Sequence, residues 1–217
     1  MDPIRLPPDE FPTQPVHHPT PVMRRVQQMS ESHCGPAVLE MLLDFVNVHV
    51  SQATLTHAIH ADQMIEDRGL RVDELAKIIR ISQPTLQFWY KDHSTIQDLD
   101  TLVHVYHYPV GVEWQGLFYD SPEEEAEDLG DETGQFGHYS IVADVEIADD
   151  LIVLRDPYRE FSRQDRFFSL KWFVSRWWDE NENTINSYPL MIRDDHMIFI
   201  ITPKGAYFPK SLGMIAA

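Results

Sequence analysis

Residues 34–46, "CGPAVLEMLLDFV", place apolar side chains at Val38, Leu39, Met41, Leu42, Leu43, Phe45 and Val46 and leave almost no polar face. A helix with that pattern belongs in a core. Pro36 suits its first turn, where an amide hydrogen has no partner anyway. Ser51 predicts the cap of a second helix in "SQATLTHAIH", and "VDELAKIIR" after Gly69 is a third, with Leu75, Ile78 and Ile79 on one side. "TLQFWY" (85–90) and "PVGVEW" (109–114) read as strands, with a Ser94-capped helix over "STIQDLDTLVHVY" between them. "HYSIVADVEIADDLIVLRDP" predicts two strands around a turn at Ala148-Asp149-Asp150. "SLKWFVSRWW" reads as a helix capped by Ser169, and "HMIFIITP" as a closing strand. Helices fill the front half and strands the back half, which predicts an α+β fold rather than alternating βαβ units.

Two segments break the pattern. Residues 1–21 are proline-rich and predict an extended arm, because proline removes amide donors and blocks helix. Residues 120–137, "DSPEEEAEDLGDETGQFG", are acidic with almost no apolar periodicity and predict an exposed loop. The remainder, 22–217, suits one domain able to bury a core without disulfides.

Charge narrows the function classes. The chain holds 17 Lys and Arg against 35 Asp and Glu, a net charge of -18. Nucleic acid and anionic membranes both require clustered positive charge, so neither is an expected partner. No apolar run approaches the ~20 residues of a membrane span. The start, "MDPIRLPPDEFPTQP", lacks the basic and apolar regions of a secretory signal. A soluble, cytoplasmic protein is expected.

Cys34 is the only cysteine, so no internal disulfide forms. A lone cysteine is ordinarily a small buried apolar residue. This one stands where its helix begins, and there the unpaired amides and the helix dipole favour a thiolate. Gly35 adds no bulk beside the sulfur. A nucleophilic thiol needs a base, and the base needs an orienting group. His138 follows the acidic loop and opens an apolar strand, and the next strand ends at Asp156-Pro157. If the two strands pair, a carboxylate can face the imidazole and fix its tautomer. Register is the difficulty. With a turn at Asp149, Asp156 faces Val142 and His138 lies about four residues away, out of hydrogen-bond reach at ~3.3 Å per residue. A connection centred near Ile147, or a bulge, is needed.

Other candidates read differently. His57 and His60, and His104 and His107, share helix faces at a three-residue spacing, but no carboxylate or cysteine completes either set, so no metal is expected. His17 and His18 lie in the arm, and His33 adjoins Cys34 with a diverging side chain. Trp172, Phe173 and Trp177 predict helix-to-sheet packing rather than a carbohydrate platform.

The stretch "QMSESHCGPAVLEMLL" resembles the active-site signature of the bacteriocin-processing, double-glycine cysteine peptidases and their stand-alone relatives, in the papain-like clan. Gln28 stands six residues before the Cys-Gly pair, as in that pattern. "GHYSIVADV" is similar to the family's histidine strand, "LIVLRDPY" to its aspartate strand, "PVGVEW" to the strand before the histidine, and "FFSLKWFVSRWW" to the serine-capped helix after the aspartate. The resemblance spans roughly residues 22–203. It implies a papain-like fold, with a buried nucleophile helix packed on an antiparallel sheet from the back half. It also implies Cys34 as nucleophile, His138 as general base, Asp156 as orienting group and Gln28 as oxyanion donor, with Gln27 one place out of register as the alternative. No cofactor is implied, and the partner is a peptide or protein substrate.

Two departures bear on specificity. Members that trim leader peptides are usually fused to transporter domains, and none is present here. The acidic segment is also longer than the family's. It could favour basic substrates at the cleft or be merely solvated. The triad would serve peptide hydrolysis, or acyl transfer or deamidation, and a non-catalytic binding module on the same scaffold is the reading from another class.

Overall fold

The structure, a computed structural model, describes residues 23–116, 136–185 and 188–217. The proline-rich arm and nearly all of the acidic segment lie outside the described residues. Four helices come first: α1 (Cys34–Phe45), α2 (Gln52–His57), α3 (Asp62–Arg68) and α4 (Val72–Ser82). Then follow β1 (Leu86–Lys91), α5 (Ile96–Asp100), β2 (Val110–Gln115), β3 (Gly137–Glu146), β4 (Leu151–Arg155) and β5 (Asp165–Ser169). The chain closes with α6 (Leu170–Arg176), β6 (Trp178–Ile185), β7 (Tyr188–Asp195), β8 (Ile198–Pro203), α7 (Phe208–Ser211) and β9 (Ile215–Ala216). Seven strands form one antiparallel sheet in the order β5-β4-β3-β2-β8-β1-β9, while β6 and β7 make a separate hairpin. The sheet thus draws on both halves of the chain, since β1 comes from the front.

Strand alternation gives the sheet two apolar faces, each with its own core. Phe88, Tyr139, Ile141, Phe199 and Ile201 pack with α1, α2, α3 and α4 on one side. Trp89, Trp114, Val142, Ile198 and Ile200 pack with Leu99, Leu102, Phe173 and Trp177 on the other. The near absence of a polar face on α1 now has its reason: its first ten residues are all buried, seven of them in the first core, and even Glu40 is covered. Phe173 and Trp177 are fully buried, as the packing reading of this helix expects. Gly111 is required by close approach, because a Cβ there would lie 2.3 Å from the Phe199 ring.

Helix caps follow local chemistry. Ser51 accepts from the Thr54 amide, and Ser169 accepts from the Trp172 amide. The cap at α5 is Thr95 rather than the expected Ser94: Thr95 accepts from the Asp98 amide, and Asp98 returns a bond to the Thr95 amide at 2.8 Å. Ser94 is buried and donates to the Lys91 carbonyl instead. The helix then passes into a π-helical turn, Thr101–Val105. The elements not anticipated are α3, β5, the β6–β7 hairpin, and the closing α7 and β9. "DQMIEDR" is too short and polar to show a stripe, and "WDENENTI" has no alternation, so its strand conformation rests on pairing with β7. Among the described residues no helix is long and apolar enough to cross a membrane.

Candidate active site

Cys34 is the first residue of α1 and is buried at 8% exposure. His33 caps the helix through its backbone only, so no side chain occupies the first-turn amides. The His33 ring turns away to Ser30 Oγ, 2.6 Å distant. Gly35 serves packing more than substrate access: a Cβ there would meet Leu75 Cδ2 at 3.0 Å and Tyr139 Cδ2 at 3.3 Å.

His138 enters from β3. Strands β3 and β4 pair with Ile141 opposite Arg155 and Val142 opposite Leu154, but with Asp144 opposite Val153. The extra residue is Ala143, a bulge of the kind that shifts register by one and bends its strand. Carried one step on, that register sets Asp156 beside Ser140, on the same face as His138 and two residues from it. The side chains close the rest, and His138 Nε2 donates to Asp156 Oδ1 at 2.9 Å with both groups buried. The two residues are brought together.

Asp156 has further partners. The Tyr158 amide donates to Oδ1 at 2.9 Å, and Arg166 Nη1 donates to Oδ2 at 2.6 Å. Arg166, from β5, is itself buried, with its guanidinium 3.9 Å from the Phe161 ring centroid. Burial works against ionisation of Asp156, yet His138, Arg166 and the Tyr158 amide outweigh it and hold the carboxyl below its ordinary value. Burial likewise opposes charge on His138. Asp156, by charge and hydrogen bond, and then the hydrogen-bonded Cys34 outweigh it, and the imidazole is pushed up to about 9. With Nε2 engaged by Asp156, Nδ1 is the ring nitrogen left to face the sulfur.

Gln28 is buried, and its backbone amide donates to the Pro157 carbonyl at 2.8 Å, next to Asp156. Its side-chain Nε2 donates to the carbonyls of Ser30 (2.8 Å) and Glu31 (3.0 Å). Gln52 clamps the same segment, accepting from the Met29 amide and donating to the Gln27 carbonyl, both at 3.0 Å. Gln27, the alternative, is exposed.

A cleft of about 280 Å³ opens beside Cys34 and is lined by Gly137, Tyr139, Glu113 and Asp179 among others. Arg166 and Glu113 are the members of this region that sequence reasoning missed. Arg166 gave no signal, because it reaches Asp156 only through the unanticipated β5. Glu113 gave one: a carboxylate interrupts the apolar strand "PVGVEW".

The histidine pairs stand elsewhere. His104 does meet carboxylates, contrary to expectation, bonding Asp100 at 2.8 Å and Asp144 at 2.9 Å. His104, Asp144 and Glu146 have ligand atoms within 4.8 Å of one another at the surface, and hydrogen bonds and ion pairs already account for His104. The His57 and His60 rings meet edge-on at 6.0 Å.

Residues 23–116 match the model of the peptidase C39 family. Comparison with curated proteins finds no match. Among solved structures, the chain is similar to the peptidase domain of Streptococcus ComA, a bifunctional ABC transporter involved in a quorum-sensing pathway. The TM-score is 0.51 at 15% identity, covering 82% of this chain and 97% of that one. It is also similar to a double-glycine-motif protease from an AMS/PCAT transporter, solved with its leader peptide, with a TM-score of 0.53 at 14% identity over 88% of this chain and 99% of that one. The matched segment carries Cys34 and Gln28, and the described residues have the mixed helix and antiparallel-sheet architecture of those domains. Over residues 23–116 the chain is thus similar to the peptidase C39 family, and its fold is that of double-glycine peptidase domains.

Proposed function

We propose that the protein hydrolyses peptide bonds with Cys34 as nucleophile, His138 as base and then acid, Asp156 as orienting group, and Gln28 with the Cys34 amide as oxyanion donors. The observation that carries this reading is the buried relay from the helix-start sulfur through His138 to Asp156 and on to Arg166. Cys34 attacks the substrate carbonyl, and negative charge develops on its oxygen. His138 passes a proton to the departing amine and leaves a thioester. Water, deprotonated by His138, then attacks the thioester and releases the acid. Asp156 keeps the imidazole in one tautomer throughout, and Arg166 keeps Asp156 ionised.

The oxyanion role asks most of Gln28. Its Nε2 must exchange one of two backbone carbonyls for the substrate oxygen, while Gln52 and Pro157 hold the backbone still. Peptide as the substrate class rests on the similarity to a protease solved with its leader peptide. The triad acts only on the carbonyl, so acyl transfer to an amine uses the same groups.

An acyl-reactive peptide probe followed by mapping of the labelled residue tests the nucleophile. Label on Cys34, with turnover abolished in Cys34→Ala, is the expected result. Turnover that persists in Cys34→Ala ends the reading.

A further inference from the structure

The cleft beside Cys34 is walled by carboxylates. Glu31, Glu113, Asp179 and Glu180 line it, with Arg68 as the cation among its lining residues. Arg68 is already taken: its guanidinium donates to both oxygens of Glu74, at 2.5 and 3.0 Å. Glu31 is paired with Arg159 at 3.0 Å. Glu113 and Asp179 are held by neutral groups. Tyr139 Oη donates to Glu113 Oε1 at 2.6 Å, and Gln115 Nε2 donates to Asp179 Oδ1 at 2.8 Å.

Glu113 is the unusual member. It is 1% exposed, at the cleft floor, and its Oε2 has no hydrogen-bond partner among the described residues. A buried carboxylate oxygen without a donor is costly, and natural structures seldom keep one without a use. Asp179 presses on the same space: a Cβ on Gly137, the residue before His138, would meet its Oδ2 at 2.5 Å. Burial first, and then Asp179, push the Glu113 carboxyl up to about 8, so near neutral pH it keeps a proton beside Asp179 that an entering cation displaces.

We infer that this cleft is a specificity subsite for a basic side chain, lysine or arginine, within two residues of the scissile bond, with Glu113 Oε2 as its buried anchor and Asp179 as the second carboxylate. The inference rests on the peptidase reading above and adds the substrate class to it. A neutral isostere of lysine brings no charge to displace the proton between Glu113 and Asp179, so it forgoes the charge-assisted bonds by which the site discriminates.

The full chain is incubated with a peptide library, and the cut sites are read by mass spectrometry, beside parallel iodoacetamide labelling of Cys34. Expected is enrichment of Lys and Arg by about tenfold at one position within two residues of the cut, the size of one charge-assisted hydrogen bond. In Glu113→Gln, and in Asp179→Asn as the independent variant, that enrichment falls toward one. A merely structural role would lower all cuts together and leave the ratio in place. Cuts without basic preference, or a preference that survives both variants, overturn the subsite and leave the peptidase reading standing. No cuts despite a readily labelled Cys34 overturns the peptide reading together with the subsite.

Discussion

His138 and Asp156 are not opposite one another on their paired strands, yet their side chains meet at 2.9 Å with both groups buried. The bulge at Ala143 supplies the shift of register that the hairpin turn alone does not. One unpaired alanine therefore decides whether a carboxylate can reach the imidazole. The consequences of that contact are testable.

The first concerns pH. His138 is raised from 6.5 to about 9, so its contribution to stability is complete below 6.5 and is lost as pH rises through about 9. Thermal unfolding measured from pH 6 to pH 10 is expected to show that loss. The alkaline limb of kcat/KM is expected near the same upper value. Asp156→Asn removes the charge that holds the proton, so both features move to lower pH. An unmoved alkaline limb in that variant would show that another group governs it.

Arg166 makes a second case. Replacing it with methionine keeps bulk against Phe161 but leaves Asp156 Oδ2 buried without its cation. Breaking a buried ion pair from one side costs about 3–5 kcal/mol, which urea unfolding would read directly. Arg166→Lys restores charge without the planar fork and is expected to recover part of the loss.

For Gln28, truncation to alanine is expected to lower kcat by about 10²–10³ with little change in KM if the amide serves the oxyanion. If the side chain only ties together the Ser30 and Glu31 carbonyls, the loss appears instead in stability and in the rate of Cys34 labelling.

The sheet offers a test independent of chemistry. Gly111→Ala drives a methyl into the Phe199 ring, and overpacking of this kind costs about 1–3 kcal/mol. Denaturant midpoints of that variant and the parent give the value.

How much of this was readable beforehand varies by residue. Cys34 was legible because a thiol at the head of an apolar helix combines two independent signals. His138 and Asp156 were legible as strand ends, but their contact was not, since alanine carries no mark of a bulge. Arg166 was hidden because β5, although it pairs with its sequence neighbour β4, shows no apolar alternation, and nothing in "RQDRFF" announces a strand. The β6–β7 hairpin was hidden for the same reason. Its polar residues take strand conformation from one another rather than from a buried face.

The bond from the Gln28 amide to the Pro157 carbonyl ties the stretch before Cys34 to the stretch after Asp156, residues more than a hundred positions apart. It involves main-chain atoms alone, and at 157 it asks only for the carbonyl, the one polar group proline still possesses. Substitution on either side can rewrite the surroundings without cutting that tether. The two shores of the cleft stay moored while their side chains drift, and a pocket with a new taste can be carved between them around an unchanged reactive centre.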